Sequence, residues 1–115
     1  MKWLKGRFKY AFQGLYYAFS KDNSIRLQGI FGIIVLTCTI LFRCSLFEWI
    51  LVILAVGMVW VAEIFNSCIE RCVDYISMEH TLQAKRIKDM AAGAVFIVSI
   101  MAACIGLYVF LPKIF

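Results

Sequence analysis

Residues 47–74 read FEWILVILAVGMVWVAEIFNSCIERCVD. From Phe47 to Ala62 the only charge is Glu48, and the run is long enough to enter a bilayer. Four acidic or amide residues then punctuate the apolar sequence: Glu63, Asn66, Glu70 and Asp74. At about 100° per residue they fall at roughly 0°, 300°, 340° and 20° around a helix, a single stripe about 80° wide. Carboxylates at or just inside a membrane boundary are costly, so they face a protein interior or water and act there. The stretch predicts a membrane helix whose end carries a functional stripe.

Two further apolar segments flank it. The three together cover residues 27–42, 47–69 and 91–111. The second and third approach or exceed the ~20 residues that span hydrocarbon. The first is shorter and spans if Arg43 snorkels or its neighbours extend the helix. The 115 residues are 63% hydrophobic, against roughly 45–50% for a soluble domain. A soluble bundle would have to bury three nearly all-round apolar helices with too few residues to cover them. The sequence therefore predicts three transmembrane helices in one domain, with no internal repeat.

Lys and Arg orient the spans. Six lie in residues 1–26 (Lys2, Lys5, Arg7, Lys9, Lys21, Arg26), one in the first turn (Arg43), four between Arg71 and Asp89 (Arg71, Lys85, Arg86, Lys88) and one at Lys113. The positive-inside rule places the N-terminus and the second loop in the cytoplasm and the C-terminus outside, in a multi-pass protein of the cell membrane. The net charge of +5 reads as topology and headgroup attraction; no motif supports binding to nucleic acid. The N-terminus lacks the continuous apolar region and the small-residue cleavage site of a signal peptide. The five cysteines are odd in number and scattered through apolar helices, without a zinc pattern, and read as packing residues.

Residues 3–19 predict an amphipathic helix lying in the interface plane. Leu4, Phe8, Leu15 and Phe19 share one side, Lys2, Lys5 and Lys9 another. A third face, Arg7, Ala11, Gly14, Ala18 and Lys21, is small in its middle and suits close packing against a helix or a ligand. The capping residues of 20–24 make a polar break, with Asp22 and Arg26 spaced as a helix pair. A polar loop over 75–83 holds Glu79 and the only histidine, His80, which a solvated surface position explains better than a functional one.

The acidic stripe and the pair Lys88-Asp89 fall near the same boundary. Carboxylates there suit Mg²⁺, which needs only one or two of them when phosphates supply other oxygens. A lysine neutralises phosphate, and a deeper carboxylate can take the proton of a lipid hydroxyl. Together these are the demands of phosphoryl transfer. Neither a GxxxxGK[ST] loop nor the protein-kinase signatures are present. An ion or proton pathway and an assembly interface are the other uses of such a stripe; a pathway would need polar residues through the membrane's depth, whereas these cluster at one end.

The pattern Glu63-x-x-Asn66-x3-Glu70-x3-Asp74, then Lys88-Asp89 and the run Met90-Ala91-Ala92-Gly93-Ala94-Val95, resembles the small prokaryotic integral-membrane diacylglycerol kinases and undecaprenol kinases over nearly the whole chain. Ala11, Gly14 and Ala18 and the region of Asp22 and Asn23 are similar to that family's N-terminal segment. The resemblance implies an all-α homotrimer, each subunit having an amphipathic surface helix and lead-in (1–26) and three transmembrane helices (27–115), with active sites between subunits. It implies Mg-ATP as phosphoryl donor and a membrane lipid as acceptor. Carried over by position, Glu63 is the base and Asn66 fixes the geometry beside it. Asp22 and Glu70 hold Mg²⁺ with the ATP phosphates. Lys88 and Asp89 contact phosphate and ribose-side groups, Tyr10, Glu79 and His80 lie around the nucleotide, and Asp74 supports them.

This chain departs from the family in three places. Asp22 stands where the family usually has Glu, one methylene longer, so a water can intervene at the metal. Gln28 stands where the Gram-positive branch commonly has His, and Trp3 replaces an arginine of the diacylglycerol branch. The pattern Lys85-x-x-Lys88-Asp89 and the Ala-Ala-Gly-Ala-Val run look more like the undecaprenol kinase branch, which makes undecaprenyl phosphate. A diacylglycerol kinase making phosphatidic acid is the alternative. A non-catalytic membrane subunit is more remote, because Glu63 and Lys88 are both retained.

Overall fold

The computed structural model describes residues 2–76 and 81–115. They form four helices: α1 (Lys2–Lys21), α2 (Asn23–Leu41), α3 (Leu46–Ile76) and α4 (Leu82–Ile114). The last three are each long and apolar enough to cross a membrane, in agreement with the three apolar segments. Their ends differ from the sequence expectation. Helix α3 runs on through Asp74 to Ile76 and α4 begins at Leu82, so both edges of the expected polar loop over 75–83 are helical, while residues 77–80 lie outside the described residues. Hydropathy marks what lies in hydrocarbon, while helical hydrogen bonding carries on past it into water.

Local chemistry sets the helix ends. The polar break narrows to Asp22, whose carboxylate accepts the Ile25 N–H at 3.1 Å and caps α2. Thr81 caps α4 in the same way through the Ala84 N–H, also at 3.1 Å. Between α2 and α3 the chain reverses in a tight turn in which Arg43 takes a left-handed φ of 52°. Ser45 and Glu48 then form a capping box, the hydroxyl accepting the Glu48 N–H at 3.2 Å and the carboxylate accepting the Ser45 N–H at 2.8 Å. That is how a membrane helix can open with a carboxylate. Glu48 also pairs with Lys113 at 3.2 Å, tying the last turn of α4 to the first turn of α3.

Helix α1, expected over 3–19, is held against α2 and α3 near its C-terminal end. Ala18 is buried there, and Phe19 meets Trp60 edge to face with ring centroids 5.3 Å apart. The Trp60 indole N–H donates to the Gln28 carbonyl at 2.9 Å. Two glycines of α2 make room for these rings: a Cβ at Gly29 would lie 2.9 Å from Phe19, and one at Gly32 would lie 2.6 Å from Trp60. Glu63 follows Trp60 by one turn, so this junction also seats the acidic stripe.

The protomer is open. Its extents are 51 × 42 × 21 Å and its radius of gyration is 17.0 Å, where a compact chain of this length has about 13 Å. Its accessible surface is 8958 Å², against about 6,400 Å² for a soluble monomer of this mass. The buried apolar side chains among the described residues are Ala18, Ile25, Val52, Ala55 and Val109. Helices α2, α3 and α4 therefore turn most of their apolar surface outward.

Candidate active site at one end of the helices

The start of α2, the end of α3 and the start of α4 come together at one end of the molecule, and most of the candidate residues lie there. Helical periodicity puts Glu63, Asn66, Glu70 and Asp74 on one face of α3, as predicted. Asp22 joins them from the α1–α2 junction: the charges of both Asp22 and Glu70 reach Glu63. Three carboxylates from two elements thus share one environment. Glu63 and Asn66 are half-buried and Glu70 is exposed, so the group grades from the apolar interior toward water.

Asn66 braces Glu70, donating from Nδ2 to Oε1 at 3.3 Å. Its own Oδ1 is buried without a hydrogen-bond partner among the described residues. A buried acceptor normally has a partner, so this oxygen has unused capacity for a donor or a cation.

Asp22 is the most constrained of the carboxylates. Its expected helix partner, Arg26, donates instead to the Ser20 carbonyl, and Asp22 pairs with Arg71 of α3 at 3.3 Å. The cap turns the Asp22 carboxylate back over the first turn of α2 and toward α3, away from the position four residues on. Burial alone would raise its pKa. The Ile25 N–H, the Ser67 hydroxyl and the Arg71 guanidinium outweigh that and hold it below the usual carboxylate value.

Lys88 donates to Asp74 at 2.6 Å, bridging α4 to the end of α3. Asp89 accepts from Lys85 one turn earlier at 2.7 Å. Both pairs are largely solvent-facing, so they place charge at the rim and add little stability. Tyr10 is not brought to the group: it is 70% exposed on α1, with no hydrogen bond to the carboxylates among the described residues. Glu79 and His80 lie outside the described residues.

Among the described residues no three His, Cys, Asp or Glu side chains converge closely enough to enclose a metal by themselves. The donor set still suits Mg²⁺, which keeps waters and takes one or two carboxylates when phosphates complete its shell. Asp22 and Glu70 are hard oxygen donors of that kind, and the orphaned Asn66 oxygen lies in the same group.

Tyr17 and Ser67 carry no mark in the sequence motif, and Arg71 stands out there only as a positive charge. Arg71 Nη1 donates to the Tyr17 hydroxyl at 3.0 Å and its guanidinium lies over that ring. A signal was available: Ser67 and Arg71 fall at roughly 40° and 80° on the same helical wheel, flanking the stripe on the α1 side.

Comparison with known proteins gives the group its context. Residues 9–110 match the family described as prokaryotic diacylglycerol kinase. An undecaprenol kinase of Bacillus subtilis is 34% identical over 107 residues, which cover 93% of this chain and 87% of that one. A diacylglycerol kinase of Synechocystis is 31% identical over 108 residues, covering 93% and 62%. One of Helicobacter pylori is 33% identical over 85 residues, covering 74% and 66%.

Proposed function

Because this chain belongs to the prokaryotic diacylglycerol kinase family and is a multi-pass membrane kinase that uses ATP and a lipid, we propose that it phosphorylates undecaprenol to undecaprenyl phosphate. The observation that supports the reaction is the meeting of Glu63, Glu70 and Asp22 at one end of three spans, with the Lys88–Asp74 pair at the rim. The choice of acceptor rests on the likeness to the Bacillus kinase, most of whose length this chain spans. Diacylglycerol is the second reading, favoured by the Synechocystis and Helicobacter relatives.

Glu63, the deepest of the three carboxylates, takes the proton of the lipid hydroxyl. The lipid oxygen attacks the γ-phosphorus of ATP, a P–O bond forms, and the bond from that phosphorus to the bridging oxygen breaks to release ADP. Asp22 and Glu70 would hold Mg²⁺, which would supply positive charge against that of the phosphates. Asn66 keeps Glu70 in place. Lys88 exchanges Asp74 for a phosphate oxygen, and Asp89 contacts the ribose side of the nucleotide. Most of this is positioning and charge neutralisation, as phosphoryl transfer requires.

The whole chain acts as one domain. Its helix α1 lies in the membrane interface, with basic residues toward headgroups and aromatic side chains toward acyl chains. The N-terminus and the α3–α4 loop face the cytoplasm, where ATP is available. Three copies associate, covering outward-facing apolar surface and closing the active sites between subunits.

The acceptor is tested with purified protein in mixed micelles, Mg-ATP, and undecaprenol and diacylglycerol in parallel. A higher kcat/KM for undecaprenol is expected. A preference for diacylglycerol would transfer the protein to glycerolipid turnover.

A further inference from the structure

The sequence marks Arg71 only as a charge that sets topology, whereas its side chain reaches two other elements at once. One arm of the guanidinium donates to Tyr17 of α1 at 3.0 Å and the other to Asp22 at 3.3 Å, across 54 and 49 residues of sequence. The guanidinium carbon lies 5.3 Å from the Tyr17 ring centroid. We propose that Arg71 is a positioning residue of this kinase: it fixes the end of α1 and the Asp22 carboxylate on α3, and so sets Asp22 against Glu63 and Glu70.

Helix α1 has two side-chain attachments to α3 near its C-terminal end. The Phe19–Trp60 contact is an apolar edge-to-face pair with no hydrogen bond between the two side chains. The Tyr17–Arg71 contact is directional, because a guanidinium presents its donors in a rigid plane. An apolar contact and a directional one, two residues apart, together fix the angle at which α1 leaves the bundle. Asp22 is likewise caught between the Ile25 N–H and two side chains one turn apart on α3, Ser67 and Arg71. Its side chain is only 13% exposed, whereas that of Arg71 is 51% exposed. An ion pair so open to water contributes little stability by charge alone. Its fork geometry is what places Asp22.

The effect on catalysis rests on the reading of Asp22 as part of the Mg-ATP site; the tie between helices does not. The experiment therefore measures both, on the full chain in micelles. The first readout is amide hydrogen exchange over residues 11–21 without nucleotide, for Arg71→Ala, Arg71→Lys and Tyr17→Phe. The second is steady-state kinetics with Mg-ATP and lipid varied separately. Arg71→Ala is expected to raise exchange over residues 11–21 and to raise the KM for Mg-ATP about tenfold, the lower end of what losing an outer-shell partner costs. The lipid KM stays within twofold of the parent's. Arg71→Lys, which keeps the charge but not the fork, recovers only part of each effect. Tyr17→Phe raises exchange with a smaller change in KM, and it carries the test if Arg71→Ala fails to fold.

Unchanged exchange in Arg71→Ala and Tyr17→Phe would overturn the proposal. So would a fall in kcat without a change in exchange, which would mean that Arg71 touches the phosphates itself. Raised exchange with an unchanged Mg-ATP KM would uphold the tie between helices and remove Asp22 from the Mg-ATP site.

Discussion

Asp22 carries several structural roles on one carboxylate: it caps α2, receives Ser67 and Arg71, and borders Glu63. Because those bonds hold its pKa below the usual value despite burial, its protonation is linked to folding. A carboxyl depressed in the folded state stabilises fully above its unfolded pKa, and the contribution disappears as pH falls through the folded one. In metal-free micelles the stability advantage of the parent over Asp22→Asn, which keeps the cap, is expected to be constant above about pH 5 and to shrink below about pH 4. Thermal denaturation across that range checks it, and an advantage that grew toward acid would contradict it. The stripe itself was legible because Glu63, Asn66, Glu70 and Asp74 repeat at the helical period. The cross-helix partners were not. Spacing pairs Asp22 with Arg26, four residues on, whereas the turn of the chain at the cap brings the carboxylate to Arg71, 49 residues away.

At the scale of elements, the three spans could be read from apolar runs alone, and their ends could not. Capping by Asp22, Ser45, Glu48 and Thr81 decides where each helix starts, and α3 and α4 extend beyond their apolar parts. The seating of α2 on α3 depends on Gly32, where an added Cβ would lie 2.6 Å from the Trp60 ring. Gly32→Ala must move that ring and strain its bond to the Gln28 carbonyl. A loss of roughly 1–3 kcal/mol is expected, the usual cost of overpacking a fitted site, seen as a lower midpoint in thermal or denaturant unfolding. The same ring supports Phe19, so hydrogen exchange in the second half of α1 should rise as well. No spacing rule in the sequence marks this glycine, because its role is set by a tryptophan 28 residues away.

For the whole molecule, the informative quantity is the surface left over. A chain of 13.2 kDa with an accessible surface of 8958 Å² leaves its apolar helix faces for lipid or for other copies. Association into a trimer is the reading offered above, and multi-angle scattering corrected for detergent is expected to give three times the chain mass. A monomer retaining full activity would sink it. The association itself was not legible in residue patterns: apolar faces toward lipid and toward another subunit look alike in composition, and only the resemblance to a family suggested three copies.

The central claim is that the acidic group at the end of α3 carries out phosphoryl transfer to a lipid, with Glu63 as its base. Glu63→Gln keeps the size and shape of the side chain and removes its ability to accept the proton. The direct test is lipid phosphorylation from Mg-ATP by this variant beside the parent, with helical content and micelle mass measured on the same samples. A loss of about 10²–10⁴ in kcat is expected, the range of general-base catalysis, with both structural measures unchanged. Turnover within a few-fold of the parent would contradict the claim.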